Sequence, residues 1–223
     1  MSAVTISVTG TAERRAPAER GTVSVAIAVE VPDDGSKATE AAVLLSEELA
    51  EQARGFVSSG EATWWSSEQL STRTFDKYEN SDEPAKETRI TRYHGAYAGV
   101  QVRFQDFAAL GRWVTRIADI DDVSLAGVSW AITDATTTEL AGRVRAEAVA
   151  DARARAEAYA AASGLGEVAL VQLWEAGLRP DSSSPGEMLM ARAAFSSTQP
   201  GGFPFKPEDV VVSATITADY RAQ

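Results

Sequence analysis

The chain opens on alternation. Val4, Ile6 and Val8 recur at every second position, and beyond Pro17 the run Val23, Val25, Ile27, Val29 and Val31 repeats that period. A period of two belongs to a strand with one buried face, so the two runs predict an opening hairpin around Pro17. Asp33, Asp34, Gly35 and Ser36 then offer a turn and a helix N-cap, followed by Ala38, Ala42, Leu45, Leu49, Ala53 and Phe56 at spacings of three and four. This is the stripe of an amphipathic helix, with Glu47, Glu48 and Glu51 mostly off it.

Thr63 to Tyr78 and Thr88 to Phe104 are rich in Thr, Trp, Tyr, Val and Phe, and the polar stretch Asn80 to Pro84 separates them. They predict a long β-hairpin. In its second arm Ala96, Ala98, Val100, Val102 and Phe104 share one face, and Tyr93, Tyr97, Gln101 and Arg103 share the other. Asp106 caps a short helix with Phe107, Leu110, Val114 and Ile117 inward, after which Val128, Trp130 and Ile132 mark a strand.

Residues 136 to 163 hold eleven alanines between Ala141 and Ala162, with Glu139/Arg143, Arg143/Glu147, Asp151/Arg155 and Arg153/Glu157 at i,i+4. Helix propensity and ion-pair spacing agree, and Gly164 stands at the expected C′ position. Val168 to Leu173 is apolar on both faces, the pattern of a central strand covered on both sides. Leu178 to Asp209 loses periodicity and reads as a long Pro-, Ser- and Gly-containing loop; Val210, Val212, Ala214, Ile216 and Tyr220 close the chain as a half-buried strand. The expected fold is α+β: a mostly antiparallel sheet, three covering helices and a long β-hairpin in the order ββαββαβαββ, within one domain over 1–223 that contains the 178–209 loop.

Composition narrows the function classes. The net charge is −11, with 32 Asp and Glu against 21 Lys and Arg, and the basic residues are interleaved rather than pooled. Such a field repels phosphate backbones and anionic lipid, so no nucleic acid is expected as partner. There is no cysteine, which removes disulfides, thiolate chemistry and most structural zinc sites. No apolar stretch approaches the roughly 20 residues of a membrane span. Met1 to Gly10 lacks a basic and an apolar signal region, so the chain as it stands is expected in the cytoplasm, or exported if a leader was removed.

Several segments resemble the SIMPL-domain family, a widespread bacterial group of largely uncharacterised proteins. Val8 to Ala12 with Pro17-Ala18 resembles its glycine-then-proline start; Tyr97 to Phe104 with Phe107 to Ile117 resembles its strand entering a short helix. AEAVADARARAEAYAAASGLG, from Ala146 to Gly166, resembles its run of alanine, acidic and basic residues ending in Gly-Leu-Gly, and VVVSATITADY resembles its last strand. The chain departs from the family in lacking an export signal, and in carrying Lys206-Pro207-Glu208-Asp209 where a Pro-Gly pair usually precedes the last strand. The resemblance implies a mixed α+β fold, no established catalytic residues, and in some members hollow assemblies linked to envelope or oxidative-stress functions. It transfers no site.

Candidate chemistry is sparse. His94 is the single histidine, and its phase matches Ala96, Ala98 and Val100, the position of a half-buried structural residue. Asp119, Asp121 and Asp122 lack the spacing of a calcium loop and read as a solvated turn. No Walker A sequence, dinucleotide fingerprint or Gly-x-Ser-x-Gly elbow is present, and no cofactor is expected. Carboxylate pairs stay possible in a chain with 32 acids.

Aromatic residues carry the remaining signal. Trp64 and Trp65 are adjacent, so one faces inward and the other outward, where it either lies on a second covered face or joins Tyr93 and Tyr97 in an aromatic patch. Met188, Met190, Phe195, Phe203 and Phe205 put more apolar residues in the 178–209 loop than a solvated linker needs; they either fold back or dock on a neighbouring subunit. The expectation is a non-catalytic protein that self-assembles through these residues as a homo-oligomer. The alternative is a small-ligand-binding module with a cleft between the sheet and the alanine-rich helix.

Overall fold

The computed structural model describes residues 3–32, 34–79, 89–176, 178, 191–192, 195–196 and 206–223. Among these, three helices and mostly antiparallel strands make an α+β fold, as the pattern predicts. The strands are β1 (Val4–Ala16), β2 (Arg20–Pro32), β3 (Ala62–Ser67), β4 (Ser71–Glu79), β5 (Arg89–Phe104), β6 (Val123–Ala131), β7 (Val168–Glu175), β8 (Ala191–Arg192), β9 (Phe195–Ser196) and β10 (Val210–Ala222). The helices are α1 (Gly35–Ser58), α2 (Phe107–Ile117) and α3 (Asp134–Ala162). The chain divides into two compact units, each with its own sheet.

One unit draws on the described parts of residues 1–18, 131–194 and 208–223. Its sheet runs β1-β10-β7, with β8 beside β10. β1 and β10 are antiparallel from Val4↔Ala222 to Ala16↔Val210. Along β10, Val210, Val212, Ala214, Ile216, Ala218, Tyr220 and Ala222 are all buried, so the alternation read from sequence holds to the end of the strand.

α3 packs on this sheet through Ala141, Val144, Ala148, Ala152, Ala156 and Ala160. The small side chains allow a close approach: a Cβ added to Gly10 would stand 2.7 Å from the Ala152 Cβ and nearer still to the Ala148 carbonyl oxygen. Asp151 accepts from the Thr11 backbone N–H at 2.9 Å, and Arg14 pairs with Glu147 at 2.6 Å. Glu147 thus serves β1 rather than the helical neighbour Arg143; Arg143–Glu139, Arg155–Asp151 and Arg153–Glu157 form as spaced. Gly164, at φ 69°, closes α3 in a Schellman arrangement, with Leu165 N–H donating to Ala160 O at 2.9 Å and Gly164 N–H to Ala161 O at 3.1 Å.

The other unit draws on the described parts of residues 19–130 and 195–207. Its sheet runs β3-β5-β2-β6-β9, with β4 also on β5. β5 pairs antiparallel with β2 along its length, from Gly21↔Phe104 to Pro32↔Tyr93, and with β3 and β4 laid end to end on its other side. The predicted hairpin is present, its first arm interrupted between Ser67 and Ser71. α1, capped by the Asp34 carboxylate, buries Ala38, Ala42, Leu49, Ala50 and Ala53. In the core Trp113 meets Phe104 at 5.7 Å and Phe56 at 5.9 Å between ring centroids, and its indole N–H donates to Gln52 at 2.9 Å.

Three expectations are corrected. β1 and β2 do not form a hairpin: β1 pairs with β10 and β2 with β5, in different sheets. A short break at Pro17 permits a turn but equally a passage from one sheet to the next, and the true partner of β1 lies at the far end of the chain. β7 is not a central strand; it is the terminal strand of its sheet, with Leu170, Val171 and Leu173 at 52, 45 and 46% exposure. Apolar residues on both faces describe a strand covered twice and a bare apolar edge equally well. Finally, two short strands, β8 and β9, lie within the segment expected to be a loop throughout.

The outer hairpin face as candidate functional site

The two faces of β5 have opposite fates. Ala96, Val100, Val102 and Phe104 are fully buried. The opposite face carries Tyr93, Gly95, Tyr97, Gly99, Gln101 and Arg103, which by register lie level with Phe75, Arg73 and Ser71 of β4, Trp64 of β3 and Glu30 of β2. Directly opposed residues share a face, so these side chains converge.

Glu30, Gly95 and Arg73 form one row across three strands. The Tyr97 ring folds back over Gly95, and a Cβ there would overlap it. Its hydroxyl donates to Glu30 Oε1 at 2.6 Å and accepts from Arg73 Nε at 2.9 Å. Lys77 Nζ pairs with Glu30 Oε2 at 2.9 Å and sits 4.2 Å from the centre of the Tyr93 ring. Arg73 lies over Phe75 and Tyr97 at 4.7 and 4.9 Å, and Phe75 stacks on Tyr93 at 6.1 Å. Each cation–π contact at such a half-exposed position contributes about 0.5–1 kcal/mol.

These contacts set the protonation behaviour. The Tyr97 hydroxyl, and after it Lys77, hold the Glu30 carboxyl below its ordinary value. Burial, and then the hydrogen bond to Glu30, push the Tyr97 phenol up. The bond to Glu30 raises the Lys77 ammonium. The row is therefore a charged carboxylate between a neutral phenol and an ammonium across the neutral pH range.

Strand alternation put Tyr93 and Tyr97 on one face and left an outward tryptophan either beside them or on a second covered face. Trp64 is that tryptophan, 41% exposed with Arg103 over its ring at 5.1 Å; Trp65 turns the other way, beneath Arg54 of α1 at 5.5 Å. Trp64 does not touch the tyrosines. It lies opposite Arg103, six residues along β5 from Tyr97, which is roughly 20 Å at strand rise. The face thus has two aromatic–cation centres, with Gln101 and Glu68 between them, 3.4 Å apart. Sequence reasoning missed Phe75, Arg73, Lys77 and Glu30, although the phase of β4 relative to Tyr93 would have found the first three.

Phe195 lies in β9, where its backbone pairs with Ser129. Met188, Met190, Phe203 and Phe205 fall outside the described residues. His94 is half-buried, its Nδ1 3.2 Å from Thr74 Oγ1 and its ring against Gly35 at the start of α1. The Asp119 to Asp122 segment is a turn, with Asp122 at φ 61° and its carbonyl accepting from Ala28 N–H at 2.9 Å. Among the described residues no three His, Asp or Glu side chains gather as metal ligands, and no helix is long and apolar enough to cross a membrane. The seam between α3 and its sheet is closed at Gly10, but a hollow of about 250 Å³ opens at the far end of α3, lined by Arg153, Glu157, Leu165, Gly166 and Val168.

A family model described as SIMPL, a protein of unknown function (DUF541), matches residues 6–220. The chain belongs to the SIMPL family. The match spans both compact units, so the two sheets and all three helices are features of one SIMPL region. No curated protein matches the chain. The alanine-rich helix and last strand that carry the resemblance in sequence are α3 and β10, packed together in the first unit.

Proposed function

We propose that this chain is a non-catalytic interaction protein that assembles with copies of itself through the outer face of the β3–β4–β5 hairpin. The observation that carries the reading is the pair of aromatic–cation centres, Phe75/Tyr93/Tyr97 with Arg73 and Lys77, and Trp64 with Arg103. Tyr, Trp and Arg dominate the energetic centres of protein interfaces. The side chains are already held by Glu30 and by one another, which lowers the ordering cost on docking.

Light scattering of the full chain beside a Trp64→Ser/Phe75→Ser/Tyr93→Ser variant tests this. Assembly in the parent chain and its loss in a variant with unchanged circular dichroism support the reading. A monomeric parent at micromolar concentration, or an oligomer indifferent to the substitutions, counts against it.

A further inference from the structure

β4 and β5 run on together past the end of β2. β2 makes its last pair with β5 at Pro32↔Tyr93, and beyond it, among the described residues, the rows Asp76↔Arg92, Lys77↔Thr91 and Tyr78↔Ile90 are held by β4 and β5 alone. A two-stranded arm is marginally stable unless one of its faces is covered. Its inner face continues the buried face of β5: Ile90 and Arg92 share the phase of His94, Ala96, Val100, Val102 and Phe104, and Tyr78 and Asp76 stand directly opposite them. α1 is the layer over that face, from Gly35 against the His94 ring to Phe56 against Phe104 at 5.1 Å. Beyond His94 that layer stops, and Tyr78 and Ile90 are left 67 and 59% exposed.

Charge decides what suits this face. Asp76 and Arg92, the next inward-facing row, pair with each other at 3.2 Å, so the face carries one charge of each sign and two copies of it meet without repulsion. The exposed apolar pair of α1 is the contrary case. Glu40, Glu47 and Glu48 stand three or four residues from Val43 and Leu44, while the cations of the helix, Lys37 and Arg54, pair with Asp34 and Glu51 instead. Two copies meeting there would set carboxylates against carboxylates.

From this we propose that the arm docks on the arm of a second copy, inner face to inner face, so that Tyr78 and Ile90 of each copy fill the layer that α1 leaves open. This rests on the reading of the chain as self-assembling, and it adds a contact on the opposite face of the same hairpin. α1 sets the direction of docking. It fills the layer over β5 from His94 onward, only four residues, or roughly 13 Å, from Ile90. A partner arm laid parallel would carry its own sheet into that helix, whereas arms pointing opposite ways keep the two helices apart. The contact is then isologous, about a two-fold axis crossing the strands at the Tyr78↔Ile90 row, and it sets Ile90 over Ile90 of the second copy.

The absence of cysteine lets single cysteines report the contact. Full-length Ile90→Cys is treated with a short bis-maleimide at micromolar concentration beside Leu44→Cys, whose site is 66% exposed in the parent chain. Two thiols held across a docked interface meet at an effective concentration far above micromolar, so Ile90→Cys should give about ten-fold or more cross-linked dimer than Leu44→Cys. A Tyr78→Ser/Ile90→Ser chain, altered only at exposed positions, should keep its circular dichroism and lose mass in light scattering. An oligomer that keeps its mass in this variant, or an Ile90→Cys chain that cross-links no better than Leu44→Cys, overturns the arm contact. If that oligomer dissociates on serine substitution at Trp64, Phe75 and Tyr93, assembly through the outer hairpin face stands without it. A parent chain at the mass of one copy overturns both proposals.

Discussion

Tyr97 lies across Gly95, occupying the space that any side chain at that position would need. From there its hydroxyl bridges Glu30 and Arg73, which flank Gly95 on the neighbouring strands. Gly95→Ala is therefore expected to displace the ring and break both bonds. The loss should be about 1–3 kcal/mol in denaturant unfolding, combining overpacking with the lost hydrogen bonds. In a Tyr97→Phe background, where those bonds are already gone, the same substitution should lose less. Additivity of the two changes would contradict the coupling.

Close approach sets a second contrast, between two glycines. Gly10 faces the backbone of α3, and Gly10→Ala forces the helix off the sheet, for an expected loss of about 1–3 kcal/mol or more. Gly55, inside α1 with open space around its Cα, gains helix propensity as alanine, and Gly55→Ala should stabilise by about 0.4–1 kcal/mol. Thermal or chemical denaturation of the two variants should move in opposite directions.

Acid stability follows from two carboxylates. Asp34, the α1 cap, is lowered to about 2 by the Ser36 hydroxyl and by Lys37, and Glu30 is lowered by Tyr97 and Lys77. A folded value below the unfolded one means that the unfolded chain binds more protons in between. The contribution is therefore complete above the ordinary carboxylate range near 4 and disappears as pH falls toward 2 for Asp34. Asp34→Asn keeps a capping oxygen but does not titrate, so its stability should decline less steeply than the parent's from pH 4 downward.

Much of the fold was legible because its signals are local. Period-two runs located β2, β5, β6 and β10, and the caps Asp34, Asp106 and Gly164 perform as their residue types suggest. What failed was pairing. β1 finds its partner at the other end of the chain, and nothing in residues 4–16 encodes that distance. The apolar phase of α2 also shifted, with Ala109 and Trp113 buried where Phe107 and Val114 were expected, because the indole fills the space beside Phe56 and Phe104. Of the candidate site, strand phase gave Tyr93 and Tyr97. The phase of β4 held Phe75, Arg73 and Lys77 as well, but Glu30 joins them only through the register of β2 on β5.

Trp113 provides the fourth test. It is fully buried between two phenyl rings, and Trp113→Ala should cost about 3–5 kcal/mol. Trp64→Ala, at 41% exposure and with Arg103 over its ring, should cost only about 1 kcal/mol in stability while weakening assembly. Equal destabilisation by both would place Trp64 in the core and remove it from the interface.

The most direct test of self-assembly is the solution mass of the intact chain by light scattering across micromolar concentrations. A mass of at least twice the 23.7 kDa of one chain, reduced by the Trp64/Phe75/Tyr93 serine variant while its circular dichroism is unchanged, is the result expected. A parent chain that remains at the mass of one copy throughout would contradict the account.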